Sequence, residues 1–264
     1  MNSFRALTFL LILSGMMLSC SGGDESPKAL VNVLLIDAPA QWDSVIVEIQ
    51  GVELDFVPNG RDGEVQKIFL PYEPGDKEVD ISQLVGGVVL PVARTEMNLG
   101  LISGITLKLG TSNALYFDKK RYPLELPGGN TDYAHTLSVD LQSGLSYDLV
   151  VDFNLEKSIR MTSSTPLKFG FNPTISAFSG IERGELIGKI SPAGLRPAIY
   201  AIHEKDSLST HTNSAGNFLL RLQPGNYTVF IDPKDSRYSA DTLFNMPVEG
   251  GKATDLETIT LIKK

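Results

Sequence analysis

Cysteine is almost absent: the 264-residue chain has one, Cys20. With none after it, the body can build neither a disulfide framework nor a thiolate zinc site. Histidine is nearly as scarce, occurring only at His135, His203 and His211. His203-Glu204 lacks the second histidine of H-E-x-x-H, and neither G-x-S-x-G nor a phosphate-binding loop occurs. The three histidines therefore read as solvated or locally satisfied side chains rather than metal ligands, and an enzyme is not expected. Beyond Cys20 no apolar run approaches the ~20 residues that a membrane-crossing helix needs. Helical periodicity is missing too. No long window carries an apolar stripe at 3.6-residue spacing, and the one short candidate is Asn154–Arg160.

The longest apolar run stands at the beginning. Arg5 precedes Ala6–Leu18, roughly 13 residues, which is the length of a signal-peptide core and too short to span a bilayer. Ser19 supplies the small residue of a cleavage site, and Met17-Leu18-Ser19-Cys20 resembles a bacterial lipobox. That resemblance implies removal of residues 1–19 and lipid attachment to Cys20, which would hold the protein on a membrane. The alternative is an ordinary secreted protein with one stray cysteine, a liability in an oxidising compartment. Residues 20–29 then form a polar tether, S-G-G-D-E-S-P-K in its core. Asp24 and Glu25 resemble the acidic export tag of surface-displayed Bacteroidetes lipoproteins. The implied location is the outer membrane; either face is open, and the cell surface is favoured.

Acidic residues outnumber basic ones, 31 to 23, and without the leader the net charge is −9. All of it lies between Cys20 and Gly184, since nine basic and nine acidic residues balance from Glu185 to Lys264. An acidic body argues against nucleic acid and against docking on anionic lipid.

Hydrophobic spacing after the tether is almost wholly period two, the mark of strands. Leu30–Ile36 is apolar on both faces, as a buried central strand would be. Val45, Val47 and Ile49 alternate with Ile46, Glu48 and Gln50, and the phase shifts at Gly51 to Val52, Leu54 and Phe56. A one-residue slip at glycine predicts a β-bulge. Pro58-Asn59-Gly60 and Asp62-Gly63 signal a turn into a returning strand, Val65–Leu70. Val79–Leu84 reads as a strand end followed by one helical turn. Ile105–Leu109, a short edge strand at Leu124–Leu126, Leu137–Leu141, Tyr147–Phe153 and a last strand at Leu167–Phe171 complete the first part.

Gly180–Gly184 has linker composition and falls where the charge balance changes. The expectation is an all-β protein: a β-sandwich-like domain over 30–179, a linker over 180–184, and a small β-sandwich over 185–264. Strands of five or six residues with regular turns carry the second assignment.

Two further resemblances accompany these patterns. Gly188–Ile190, Ala198–Ile202 (A-I-Y-A-I), Thr212–Phe218 (T-N-S-A-G-N-F) and Leu222–Val229 (L-Q-P-G-N-Y-T-V) resemble the carboxypeptidase regulatory-like module, a transthyretin-like sandwich. Such modules are usually non-catalytic spacers or binding domains, and their fold is shared with starch-binding-like domains. Leu35–Glu53 (L-I-D-A-P-A-Q-W-D-S-V-I-V-E-I-Q-G-V-E), Val79–Leu84 (V-D-I-S-Q-L), Tyr122–Pro127 (Y-P-L-E-L-P), Leu149–Ile159 and Leu167–Pro173 (L-K-F-G-F-N-P) resemble an uncharacterised family of bacterial lipoprotein domains, formally of unknown function. That second resemblance implies no activity.

The acids Asp37, Asp43, Asp152 and Glu156 lie at strand ends and loops, where hard oxygen ligands would suit calcium. Turn capping is the favoured explanation, since aspartate satisfies local backbone donors and no D-x-D-x-D-G loop occurs. Trp42, Tyr200, Phe230 and Tyr238 are the aromatics available to contact a ligand, with packing as the alternative for each. No cofactor other than calcium is indicated. The expected function is a non-enzymatic, lipid-anchored binding module for a glycan or a protein; the alternative is a structural or assembly subunit of an envelope complex.

Overall fold

Period-two patterning produces strands nearly throughout. The computed structural model describes residues 26–38, 42–60, 63–181, 183–204 and 206–264; the leader, Cys20 and Asp62 lie outside them. The first half contains β1 (Lys28–Ala38), β2 (Ser44–Pro58), β3 (Gln66–Pro71), β4 (Glu78–Asp80), β5 (Leu90–Asn98), β6 (Gly100–Leu109), β7 (Ala114–Phe117), β8 (Lys120–Pro123), β9 (Asp132–Asp140), β10 (Ser146–Asn154), β11 (Ile159–Ser164), β12 (Leu167–Phe171) and β13 (Ile175–Ser179). One sheet runs β13-β10-β1-β5; a second runs β8-β7-β2-β6-β9, with β3 and β4 also on β2; β11 and β12 form a hairpin. Their inward residues, among them Val33, Leu35, Val47, Leu54, Leu107 and Phe153, make one core between the two main sheets.

Strand β1 sits between β10 and β5, the central place expected for Leu30–Ile36. Strand β2 carries the expected bulge. Its pairing with β6 shifts register between Ile49 and Gly51, so Val45, Val47 and Ile49 and then Val52, Leu54 and Phe56 all face the core. Gly51 has φ +150, and a Cβ there would collide with the Leu70 carbonyl, so only glycine fits. The strand end at Val79 and its following turn appear as β4 and a 3-10 turn at Ile81–Gln83. The short helical candidate is one turn, α1 (Leu155–Ser158), capped by the Asn154 side chain accepting from the Lys157 N–H at 2.9 Å.

Two expectations are corrected. Leu124–Leu126 is not a strand: the preceding residues pair instead, as β8 on β7, through a tight turn with Asp118 and Lys119 at positive φ. The Leu124 N–H goes to the Asn113 carbonyl rather than to a ladder. Nor is Leu167–Phe171 the last strand of this half, because β13 follows and adds to β10.

The second half contains β14 (Gly184–Ser191), β15 (Ala198–His203), β16 (Asp206–His211), β17 (Asn217–Leu222), β18 (Gly225–Asp232), β19 (Asp241–Val248) and β20 (Ala253–Thr260). These seven strands form two sheets, β17-β14-β20 and β16-β15-β18-β19. Leu186, Ile190, Ile199, Phe218, Leu220, Tyr227, Val229 and Ile231 fill the space between them as a core separate from the first. The fold is therefore all-β and sandwich-like in both halves, as expected.

At the linker, Arg183 holds both halves. Its Nε donates to the Ser179 carbonyl at 3.1 Å, its Nη1 to the Arg221 carbonyl at 3.3 Å, and its guanidinium lies 3.7 Å over the Phe178 ring.

Candidate ligand site at the junction of the two halves

The C-terminal ends of β1 and β10 meet the second half. Register places Ile36 beside Asp152 and Asp37 beside Phe153. Asp37 and Asp152 are almost fully buried, at 3% and 4% exposure, and each keeps one carboxyl oxygen without a hydrogen-bond partner among the described residues. Both line a small cavity of about 30 Å³ whose other wall comes from β16 and β17, including Leu208, Thr210 and Leu220. Such a space holds only a water or two.

Charge is penalised there. Burial raises the Asp37 carboxyl well above the usual carboxylate range, and the charges of Asp152 and Asp80 push the same way. Burial likewise pushes Asp152 up to about 7, with the Lys157 charge opposing.

Next to it lies a larger cavity of about 290 Å³. The first half contributes Asp37, Trp42, Asp43, Ser82 and Gln83; the second contributes Arg196, His211, Thr212 and Lys234. Trp42 Nε1 and Thr212 Oγ1 are buried without partners. Among the described residues five buried side-chain polar atoms lack partners, and four of them belong to residues lining these two cavities. Leaving a buried polar group unpaired costs about 1–3 kcal/mol, so their concentration at one place marks a surface that a bound polar molecule or water would complete.

The remaining wall is cationic. Lys234 Nζ reaches Asp232 at 3.0 Å and Glu156 at 3.9 Å. Arg196 lies exposed at positive φ and makes no ion pair among the described residues. His211 Nδ1 lies 2.8 Å from the Pro197 carbonyl, so Nδ1 donates, and burial holds the imidazole below its usual pKa.

The four acids singled out in the sequence converge on this junction without forming one cluster. Asp37 and Asp152 line the small cavity. Asp43 borders the large one while accepting the Lys119 N–H at 3.1 Å, and Glu156 enters through Lys234. Among the described residues no three His, Cys, Asp or Glu side chains stand together as metal ligands.

The aromatics divide differently. Trp42 packs edge-on against Phe117 and Phe169, with centroids 5.8 and 5.5 Å apart. The ring belongs to this cluster, and the polar group it brings to the cavity is the indole N–H. Tyr200 leans against Phe230 at 6.1 Å and under Lys234 Nζ at 5.9 Å. Tyr238 packs on the second core and bridges to Lys263. Arg196 and Lys234 carry no sequence signal, and His211 and Thr212 none that points to this cavity, because their position against Asp37 and Trp42 exists only once the halves dock.

Several solved structures show detectable similarity at very low identity. They include the Bacillus anthracis TIE protein (11% identity, TM-score 0.25, 98% of this chain and 44% of that one). A leucine-rich repeat protein from Bacteroides thetaiotaomicron VPI-5482 (11%, 0.19, 90% and 26%) is another. The D295N shaft pilin SpaA from Lactobacillus rhamnosus GG (8%, 0.24, 90% and 98%) is a third. The chain thus spans less than half of the first two, and scores this low carry no argument about fold or function. No curated protein matches the chain. Residues 28–171, more than half of the sequence, match the family model described as Domain of unknown function (DUF4382), and the protein belongs to that family.

Proposed function

We propose that the protein is a non-enzymatic binding module of the bacterial cell envelope, anchored to the outer membrane through lipid on Cys20 and displayed toward the outside, with a glycan or a protein as its ligand. The observation that carries the reading is the junction cavity: about 290 Å³, walled by both halves, and bordered by buried carboxyl, indole and hydroxyl atoms without partners. Its volume falls at the low end of the ~300–1,000 Å³ of small-ligand sites, and junctions between units of structure are where such sites gather. The short apolar leader ending in Leu18-Ser19-Cys20 supports the anchor. Seven strands in two sheets, together with the Thr212–Phe218 and Leu222–Val229 motifs, support reading the second half as a carboxypeptidase regulatory-like module.

The reading is tested by retention of the full chain, in a detergent without a sugar headgroup, on a panel of immobilised polysaccharides, with calcium and with chelator. Retention with the glycan recovered uncut supports a non-enzymatic binder, and loss of retention in chelator would bring Asp37, Asp43, Asp152 and Glu156 into play as a calcium site. Failure on every glycan, followed by failure to crosslink any envelope protein, would sink it. The assembly-subunit reading is favoured by one feature, Phe244, 66% exposed on the edge strand β19.

A further inference from the structure

We propose that the larger junction cavity is a site for an acidic saccharide, a hydroxyl-rich ring bearing a carboxylate such as a uronic acid. The inference rests on the binding-module reading and adds the chemistry of the ligand. Its argument is the mixture of groups that one small ligand would have to satisfy. Trp42 Nε1 can only donate, Asp43 accepts, and Asp37 and Thr212 Oγ1 can do either when the Asp37 carboxyl is protonated. A simple inorganic anion would satisfy the donors and leave the acceptors unpaired. A simple cation would do the reverse. Hydroxyl groups donate and accept at once, so a polyol can pair with all four residues from one position.

The carboxylate follows from the other wall. Lys234 is engaged by Asp232 and Glu156, whereas Arg196 borders the cavity with no ion pair among the described residues, and its planar fork matches a carboxylate in two parallel hydrogen bonds. The ligand would therefore lie across the junction, hydroxyls toward the first half and carboxylate toward Arg196. No stacking on Trp42 is required, since its indole already packs against Phe117 and Phe169 in T-shaped contacts.

Trp42 is the sole tryptophan, so its emission reports on this cavity without a label. The full chain in detergent without a sugar headgroup would be titrated with digalacturonate and a glucuronate disaccharide, and with their neutral counterparts. The expected result is a saturable change in Trp42 emission with an acidic saccharide, at least tenfold weaker with its neutral counterpart. Arg196→Ala should weaken the acidic ligand at least tenfold, and Thr212→Val several-fold, with circular dichroism unchanged in both. Equal response to neutral and acidic sugars, or indifference to Arg196→Ala, overturns the carboxylate assignment. Retention on polysaccharide with Trp42 emission unmoved at saturation overturns the site while leaving the binding function standing. Absence of any glycan or protein ligand removes both.

Discussion

Asp37 and Asp152 stand one residue out of step on neighbouring parallel strands, Asp37 beside Phe153 and Asp152 beside Ile36. The pleat therefore sends the two carboxyls to opposite faces of the sheet. Asp37 shares its face with the core residues Val33 and Leu35, and Asp152 shares its face with Val150, which is buried yet outside that core. Asp152 owes its burial to the residues of β16 and β17 laid over it.

This relationship gives a pH dependence with a definite sign. A carboxyl at about 7 in the folded protein and near 4 in the unfolded chain binds its proton more tightly when folded. Its contribution is fully present below pH 4 and lost as pH rises to 7. The loss is up to about 4 kcal/mol. Asp152→Asn removes the titration. Urea unfolding should show the variant gaining on the wild type between pH 5 and pH 8; the same difference at both values would refute the assignment.

Gly86 tests the docking itself. It has φ +64, and a Cβ there would come within 2.9 Å of the Asn213 Cβ and 3.0 Å of the Asn217 carbonyl, both in the second half. Gly86→Ala should cost about 1–2 kcal/mol from the left-handed backbone alone and should also loosen the junction. Limited proteolysis between 180 and 184 should quicken several-fold. Unchanged cleavage and stability would mean that the approach is not a close one.

How much of this was legible in the sequence depends on the range over which each feature is determined. The Gly51 bulge was readable because a phase slip in alternating residues is local. The seven-strand second half was readable in outline for the same reason, through Phe218, Leu220 and Leu222 and through Tyr227, Val229 and Ile231. Strands β5, β13, β16 and β19 were not, since Pro91, Pro247 and mixed burial blur their alternation and pairing alone defines them. Asp37 and Asp152 stood out as acids at the ends of apolar strands. Their environment did not, because Arg196, Thr212 and the β16 face lie about 45 to 175 residues away along the chain and reach them only by docking.

Trp42 should be structural as well as a lining residue. Trp42→Ala removes the edge-on partner of Phe117 and Phe169 and should cost about 3 kcal/mol, the lower end for a large aromatic. Trp42→Phe should recover most of it while losing the indole N–H. Equal destabilisation by the two, measured by chemical unfolding, would argue against the cluster as the reason for the residue.

Cys20→Ala should abolish lipid attachment. We expect the protein to remain as an uncleaved precursor, about two kilodaltons heavier than the chain without its leader before the lipid is counted. Mass spectrometry of the membrane fraction checks this, and an unaltered mass with normal membrane retention would refute lipidation.

The bulge in β2 also acts as a parity mark. Residues 44–48 pair with β4 and β7, Ile49 already pairs with Leu109 of β6, and residues from Gly51 onward pair with β3 and β6. Each portion keeps its own count of inside and outside, joined by one supernumerary residue. Straightening the bulge at constant length, with every partner strand in place, would turn Val52, Leu54 and Phe56 outward together. The strand thus tolerates substitution at many outward positions but no straightening at Gly51, which makes the local conformation there a tighter constraint than the composition of the rest.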